Sequence, residues 1–197
     1  MPPRAKPPAA MTSTPPLPRG LHEVIPAQQI ARRVEEMGKE IGRSLKASER
    51  PVAVVVLQGG FIFAADLVRH LPASLGLEIG FLRCESYGSG TRSRGKIVML
   101  QDLDPGVDLR GRTVLLIDDI LDTGLTIKHL VAHLKRRGAK KVRVCVLVQR
   151  KSNQPPAGVT NPFVGFKAGR EFFVGYGMDH AGRHRNLPSL AALEETR

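Results

Sequence analysis

The chain reads as an α/β protein, a central parallel twisted sheet flanked by helices with a small C-terminal, hood-like lobe. Three observations predict this. Apolar runs of strand length at 52–57, 113–118 and 142–148 are nearly continuous, as expected where both faces of a strand are buried. Segments of helical spacing separate those runs, and strand–helix–strand order implies right-handed crossovers that lay helices over a parallel sheet. The run ending at Ile117 also delivers Asp118 and Asp119 to a strand end, where a Thr-Gly turn opens the next helix.

The elements follow in order. Residues 1–20 hold seven prolines and almost no periodicity, which predicts a disordered tail. Residues 21–197 then form one domain, with hood elements from about 21–30 and 151–197. Between 27 and 45, Ile30, Val34, Met37, Ile41 and Leu45 recur at spacings of four and three, one face of a helix. Gln58-Gly59-Gly60 breaks the strand at 52–57, and helical spacing resumes over 61–71. Residues 77–83 and 96–101 alternate as strands around 85–95, a stretch too polar to pack. A helix over 126–137 follows the strand at 113–118 and stops at Gly138. After the strand at 142–148 and Arg150, the pattern breaks into short segments punctuated by Pro and Gly, read as the lobe. No internal repeat is visible.

Composition narrows the classes. Hydrophobic content of 42% and charged content of 24% are those of an ordinary globular protein. No apolar stretch approaches the roughly 20 residues needed to cross a bilayer. Arg4 and Lys6 precede no apolar region of a secretory signal. Cys84 and Cys145 each fall inside a predicted strand, which fits buried core thiols in a reducing compartment. The expectation is a cytoplasmic protein with no membrane association.

The net charge is +12, of which residues 1–20 supply +3 through Arg4, Lys6 and Arg19. Trp is absent and aromatic content is 5%, a poor supply for a nucleic-acid stacking platform. Nucleic acid is therefore not the expected partner, and the cations are read as serving bound phosphates. His129 and His133, like His180 and His184, are four apart, but no HExxH and no third ligand accompany them. They are read as packed or solvated side chains rather than zinc ligands.

Ligands of open parallel sheets bind beyond the carboxyl ends of the strands. Two loops leave such ends, one after Leu57 and one after Ile117. A Walker GxxxxGK[ST] and a GxGxxG directly after a strand are both absent, which argues against a P-loop nucleotidase or a Rossmann dehydrogenase. Asp118 and Asp119 are adjacent acids that repel each other unless something binds them. Asp122 suits either an N-cap or a group that handles a proton. Thr123-Gly124-Leu125-Thr126 offers backbone N–H groups and hydroxyls at a helix N-terminus, the chemistry that holds a phosphate.

Residues 114–126 resemble the phosphoribosyl-pyrophosphate signature of the type I phosphoribosyltransferases. Further motifs narrow the resemblance to the hypoxanthine-guanine branch over about residues 21–190. They are Leu57-Gln58-Gly59-Gly60, Ser86-Tyr87-Gly88 with Gly90-Thr91, Phe163-Val164-Gly165-Phe166, Glu171 through Asp179, and Arg185-Asn186-Leu187-Pro188.

The resemblance implies the type I fold and a Mg²⁺-dependent transfer of phosphoribosyl from phosphoribosyl pyrophosphate to hypoxanthine or guanine. It implies that Asp118 and Asp119 hold the ribose hydroxyls or metal-bound waters, and that Asp122 is the general base near purine N7. The turn from Asp122 through Thr123, Gly124, Leu125 and Thr126 would bind the 5′-phosphate. Gly59 would offer its N–H to pyrophosphate, in a loop where relatives often have a non-proline cis peptide. Ser86 and Tyr87 match the tip of a mobile lid. Phe172 matches the aromatic that stacks on the purine, Phe173 the residue whose backbone reads the base edge. Asp179 matches a carboxylate facing a second Mg²⁺ through water, and Arg185 a pyrophosphate contact.

This chain departs from the pattern at Gln58, where many relatives are basic. The residue matching the family's lysine at the purine's 6-oxo group falls among Gln149, Arg150 and Lys151, with Arg150 favoured. Assembly as a homodimer or homotetramer is also implied. The rival reading is a nucleotide-sensing, RNA-binding regulator on the same fold, for which only the net charge speaks.

Overall fold

A computed structural model describes residues 16–87, 96–151, 154–159, 161–169 and 171–194. The main sheet has six strands. They are β2 (Val52–Leu57), β3 (Glu78–Tyr87), β4 (Lys96–Gln101), β5 (Thr113–Leu121), β6 (Lys141–Arg150) and β7 (Phe163–Ala168), in the spatial order β4-β3-β2-β5-β6-β7. The helices are α1 (Ala27–Ser44), α2 (Phe61–Arg69) and α3 (Leu125–Arg136). A three-stranded sheet joins β1 (Leu21–Ile25), β9 (Leu190–Leu193) and β8 (Phe173–Val174), in that order and antiparallel throughout.

The apolar runs become strands because they are buried from both sides. In β2, residues 53 and 55 face a core built with α1 and α2, while 52, 54 and 56 face one built with α3. Ile30, Val34, Met37 and Ile41 of α1 are at most 1% exposed. Each such side chain contributes about 1.5–3 kcal/mol through burial.

Four features differ from the sequence expectation. The sheet is mixed, because β4 runs antiparallel to β3 at one edge. Eight residues separate the two strands in sequence, fewer than the dozen or more that a parallel return would require for its crossover. Strand β5 continues past Asp118 to Leu121, its ladder held by β6 from Val146 to Gln149. Residues 163–168, assigned above to the lobe, extend the main sheet as β7, parallel to β6. The lobe is thus the small sheet and its connections, tied to α2 where the Tyr176 hydroxyl donates to Asp66 at 2.6 Å.

The fourth difference concerns the tail. Residues 1–15 lie outside the described residues. Residues 17–20 are tied in: Leu17 packs against Leu21, Val174 and Ala191, and Glu194 N–H bonds to Gly20 O at 2.9 Å. Among the described residues no helix is long and apolar enough to cross a membrane.

Candidate active site

The parallel registers align the carboxyl ends of β2, β3 and β5, and a cavity of about 440 Å³ opens there. Asp118, Asp119, Asp122, Thr123, Gly124, Thr126, Gly59, Asp179 and Arg185 all line it. A second cavity of about 260 Å³ adjoins it, lined by Arg150, Phe172, Phe173 and Met178. Asp119, Ile120, Asp122 and Asp179 line both.

Asp118 and Asp119 extend β5 into the first cavity. Asp119 N–H donates to Asp118 Oδ1 at 3.0 Å, and Ile120 N–H to Asp119 Oδ1 at 2.7 Å. Burial raises the Asp118 carboxyl well above the usual range, and the neighbouring Asp119 charge adds to it. Burial also raises Asp119, offset in part by its hydrogen bonds and by Arg185. A pair of acids held this way favours a bound cation or hydroxyl donors over solvent.

Asp122 lies at the junction of the cavities with its side chain 59% exposed. Arg150 Nε stands 3.9 Å from its carboxylate. Arg150 Nη1 donates to Gly169 O at 2.7 Å and Glu171 O at 2.6 Å, while the guanidinium lies 5.3 Å from the Phe173 ring centroid. Of the three residues offered for the 6-oxo contact, Arg150 is therefore the one on the cavity wall; Gln149 is buried and Lys151 exposed. Phe172, 52% exposed, presents its ring to the second cavity with the His180 ring edge-on at 5.5 Å. Phe173 is buried in the core beneath.

The turn into α3 has Gly124 at φ +78° as the residue preceding the helix. Leu125 N–H bonds to Thr123 Oγ1 at 3.4 Å, and the Leu125 side chain is exposed rather than part of the cavity wall.

The turn after β2 contains a cis peptide between Leu57 and Gln58. Gly59 leaves room for the Asp119 carboxylate beside it, which a Cβ at this position would displace. Gly177 shows the same constraint from the other side. Its φ is +103° and a Cβ there would overlap Gly59 O.

Arg185 reaches the cavity from the small lobe. It donates to Gly177 O at 2.6 Å and Gln58 Oε1 at 3.4 Å, and pairs with Asp179 at 2.7 Å. Asp179 also accepts Gly182 N–H at 2.7 Å. Asp179 is thus held as a partner of Arg185. The three carboxylates expected to serve a metal, Asp118, Asp119 and Asp179, do not converge as a protein cation cage among the described residues.

Ser86 and Tyr87 differ from expectation. They are the last residues of β3, their backbone paired with Ile97 and Lys96, rather than a loop tip. Their side chains and residues 88–95 lie outside the described residues. Sequence reasoning missed Arg83, Cys84, Glu85 and Ile120, which line the first cavity. Their only signal was position, just before Ser86 and directly after Asp119. Burial pushes the Cys84 thiol up to about 11, with Asp118 adding to it, so it stays protonated at neutral pH.

A glycine turn opening α3, paired strand-end acids and an adjoining aromatic pocket thus meet at the carboxyl end of one α/β sheet, the architecture of a nucleotide-handling transferase class. The chain belongs to the phosphoribosyl transferase domain family, whose sequence pattern matches residues 21–181. It is 37% identical over 171 residues to the hypoxanthine-guanine phosphoribosyltransferase of Bacillus subtilis, covering 87% of this chain and 92% of that one. The Aquifex aeolicus hypoxanthine-guanine phosphoribosyltransferase is 41% identical over 168 residues, 85% of this chain and 92% of the relative. A crystal structure of a Bacillus anthracis hypoxanthine-guanine phosphoribosyltransferase superimposes with a TM-score of 0.78 at 35% identity, covering 87% of this chain and 98% of that one.

Proposed function

We propose that this chain is a purine-salvage enzyme that transfers 5-phosphoribosyl from phosphoribosyl pyrophosphate to hypoxanthine or guanine, giving the nucleoside monophosphate and pyrophosphate. The observation that carries the reading is the junction of the two cavities at Asp122. The phosphate turn and acid pair lie on one side of it, Phe172 and Arg150 on the other.

In the transfer, the bond from the anomeric carbon to pyrophosphate breaks and a purine nitrogen bonds to that carbon. The turn at 123–126 anchors the 5′-phosphate, and Asp118 and Asp119 orient the ribose hydroxyls, so that both partners react in a fixed geometry. Phe172 positions the base, and Arg150 supports its 6-oxo edge. Asp122, at the junction, accepts the proton the purine gives up. Gly59 N–H and Arg185 serve the departing pyrophosphate.

Mg²⁺ belongs to this proposal as the neutraliser of the leaving charge. The donor set suits it: Mg²⁺ takes substrate oxygens and waters with one or two carboxylates, here Asp118 and Asp119, and needs no all-protein cage. Asp179 would act on it only through water.

Assembly as a homodimer or homotetramer is part of the same reading, supported by Ile79, Phe81 and Leu100, exposed apolar side chains on β3 and β4. The free cysteines Cys84 and Cys145 fit a reducing cytoplasm. The RNA-binding regulator finds no support among the relatives above, which are transferases.

The test is a panel of hypoxanthine, guanine, xanthine and adenine with phosphoribosyl pyrophosphate and Mg²⁺, following nucleotide product. Hypoxanthine or guanine should be used best. No product from any base would overturn the proposal.

A further inference from the structure

Among the described residues, the first cavity has few cations for the ligand proposed for it. Of the described residues, five carboxylates line it, on Glu85, Asp118, Asp119, Asp122 and Asp179, against two guanidiniums, on Arg83 and Arg185. A ligand bearing a phosphate and a pyrophosphate must bind in an acidic cleft. Arg185 is already shared among Asp179, Gly177 O and Gln58. Gln58 supplies no charge of its own.

That directs attention to Arg83. It lies opposite Leu57 in the β2–β3 ladder, beside the Gln58-Gly59 turn. Its Nη2 donates to Glu85 Oε1 at 2.9 Å, two residues along the strand on the same face. Both side chains are 41% exposed and both line the cavity. An ion pair this open to water is weak, whereas a guanidinium binds phosphate oxygens through a bidentate, charge-assisted fork.

We propose that Arg83 is a binding residue for the pyrophosphate end of phosphoribosyl pyrophosphate, and that Glu85 competes with the substrate for it. Substrate exchanges the Arg83–Glu85 pair for an Arg83–phosphate pair. Departure of pyrophosphate restores the original pair, so Glu85 trades substrate affinity for product release. The inference rests on the functional reading above and adds to it two residues on β3 with opposite effects.

The experiment measures phosphoribosyl pyrophosphate binding by calorimetry, together with KM and kcat, on the full chain. Arg83→Gln should weaken binding by about 10-fold or more, the usual effect of losing a hydrogen bond to a charged group. Glu85→Gln should tighten it by about 2–5-fold, the scale of an exposed ion pair, and slow pyrophosphate release. In an Arg83→Gln background, Glu85→Gln should have no effect on affinity, a coupling that a merely structural role for either residue would not produce. Arg83→Lys, which keeps the charge but not the fork, should fall between wild type and Arg83→Gln, and it serves as the test if Arg83→Gln fails to fold.

Unchanged affinity on losing Arg83, or weaker affinity on losing the Glu85 charge, overturns this inference and leaves the functional reading standing. A wild-type chain that binds no phosphoribosyl pyrophosphate overturns both.

Discussion

The two edges of the main sheet handle charge in opposite ways. At the carboxyl edge, Asp118 and Asp119 stand side by side in a cavity, both raised by burial and Asp118 further by the Asp119 charge, with few cations near among the described residues. At the amino edge, the Arg112 side chain is 8% exposed and bonded within the chain. It donates to Arg50 O at 2.7 Å and Asp108 O at 3.0 Å and pairs with Glu78 at 2.5 Å. Arg110 is bonded to Asp108, while Arg50, Lys140 and Lys141 face water around them. One edge closes its interactions within the chain; the other leaves charge unmet and so has something to offer a ligand. These exposed cations gather at the opposite end of the sheet from the first cavity.

The contrast predicts that substitutions at the two edges separate activity from stability. The largest effect is expected from Asp122→Asn. It should lower kcat about 10²–10⁴-fold, the usual worth of general acid–base work, with the melting temperature nearly unchanged. Asp122 is exposed, so a large loss of stability would show that its role is structural.

Arg112→Met should do the reverse. It strands the Arg50 and Asp108 carbonyls and the Glu78 carboxylate, costing about 2–3 kcal/mol in urea denaturation. KM and kcat of the folded fraction should match wild type. Altered turnover at full folding would show that the amino edge communicates with the site.

The same contrast explains what the sequence could reveal. Strand β5 and its acids were legible because one short segment carries the apolar run, the carboxylates and the Thr-Gly turn. Helix α1 was legible because Ile30, Val34, Met37 and Ile41 all face one core. Strand β7 was not, since Phe163–Ala168 follows a Pro/Gly-rich stretch and is only partly buried until Ala168, so its pairing with β6 leaves no local pattern. The pairing of β1 with β9 joins opposite ends of the chain and has no local trace either. Within the site, Arg83 and Glu85 were hidden because they belong to the half-exposed face of β3, where alternating polar residues read as ordinary surface. Only the fold turns that face into a cavity wall.

The smallest effect is expected where the segment after β4 is pinned to the last turn of α3. Asp102 accepts from His133 at 2.9 Å and from Arg137 at 3.1 Å. Burial alone would raise the Asp102 carboxyl, but the His133 bond, the Leu103 N–H and the Arg137 charge outweigh it and hold it below the ordinary value. A carboxyl depressed by folding adds stability above its unfolded pKa of about 3.9, and the gain fades as pH falls through the lower folded value. The Asp102 side chain is 43% exposed, so solvent screening limits the gain to under about 1 kcal/mol. Urea denaturation of wild type and Asp102→Asn should therefore differ slightly at pH 7 and converge in strong acid, with turnover at pH 7 equal. A gap that widened on acidification would mean that the clamp draws its stability from His133 and Arg137 acting elsewhere, and that the closed-interaction account of this side of the sheet is wrong.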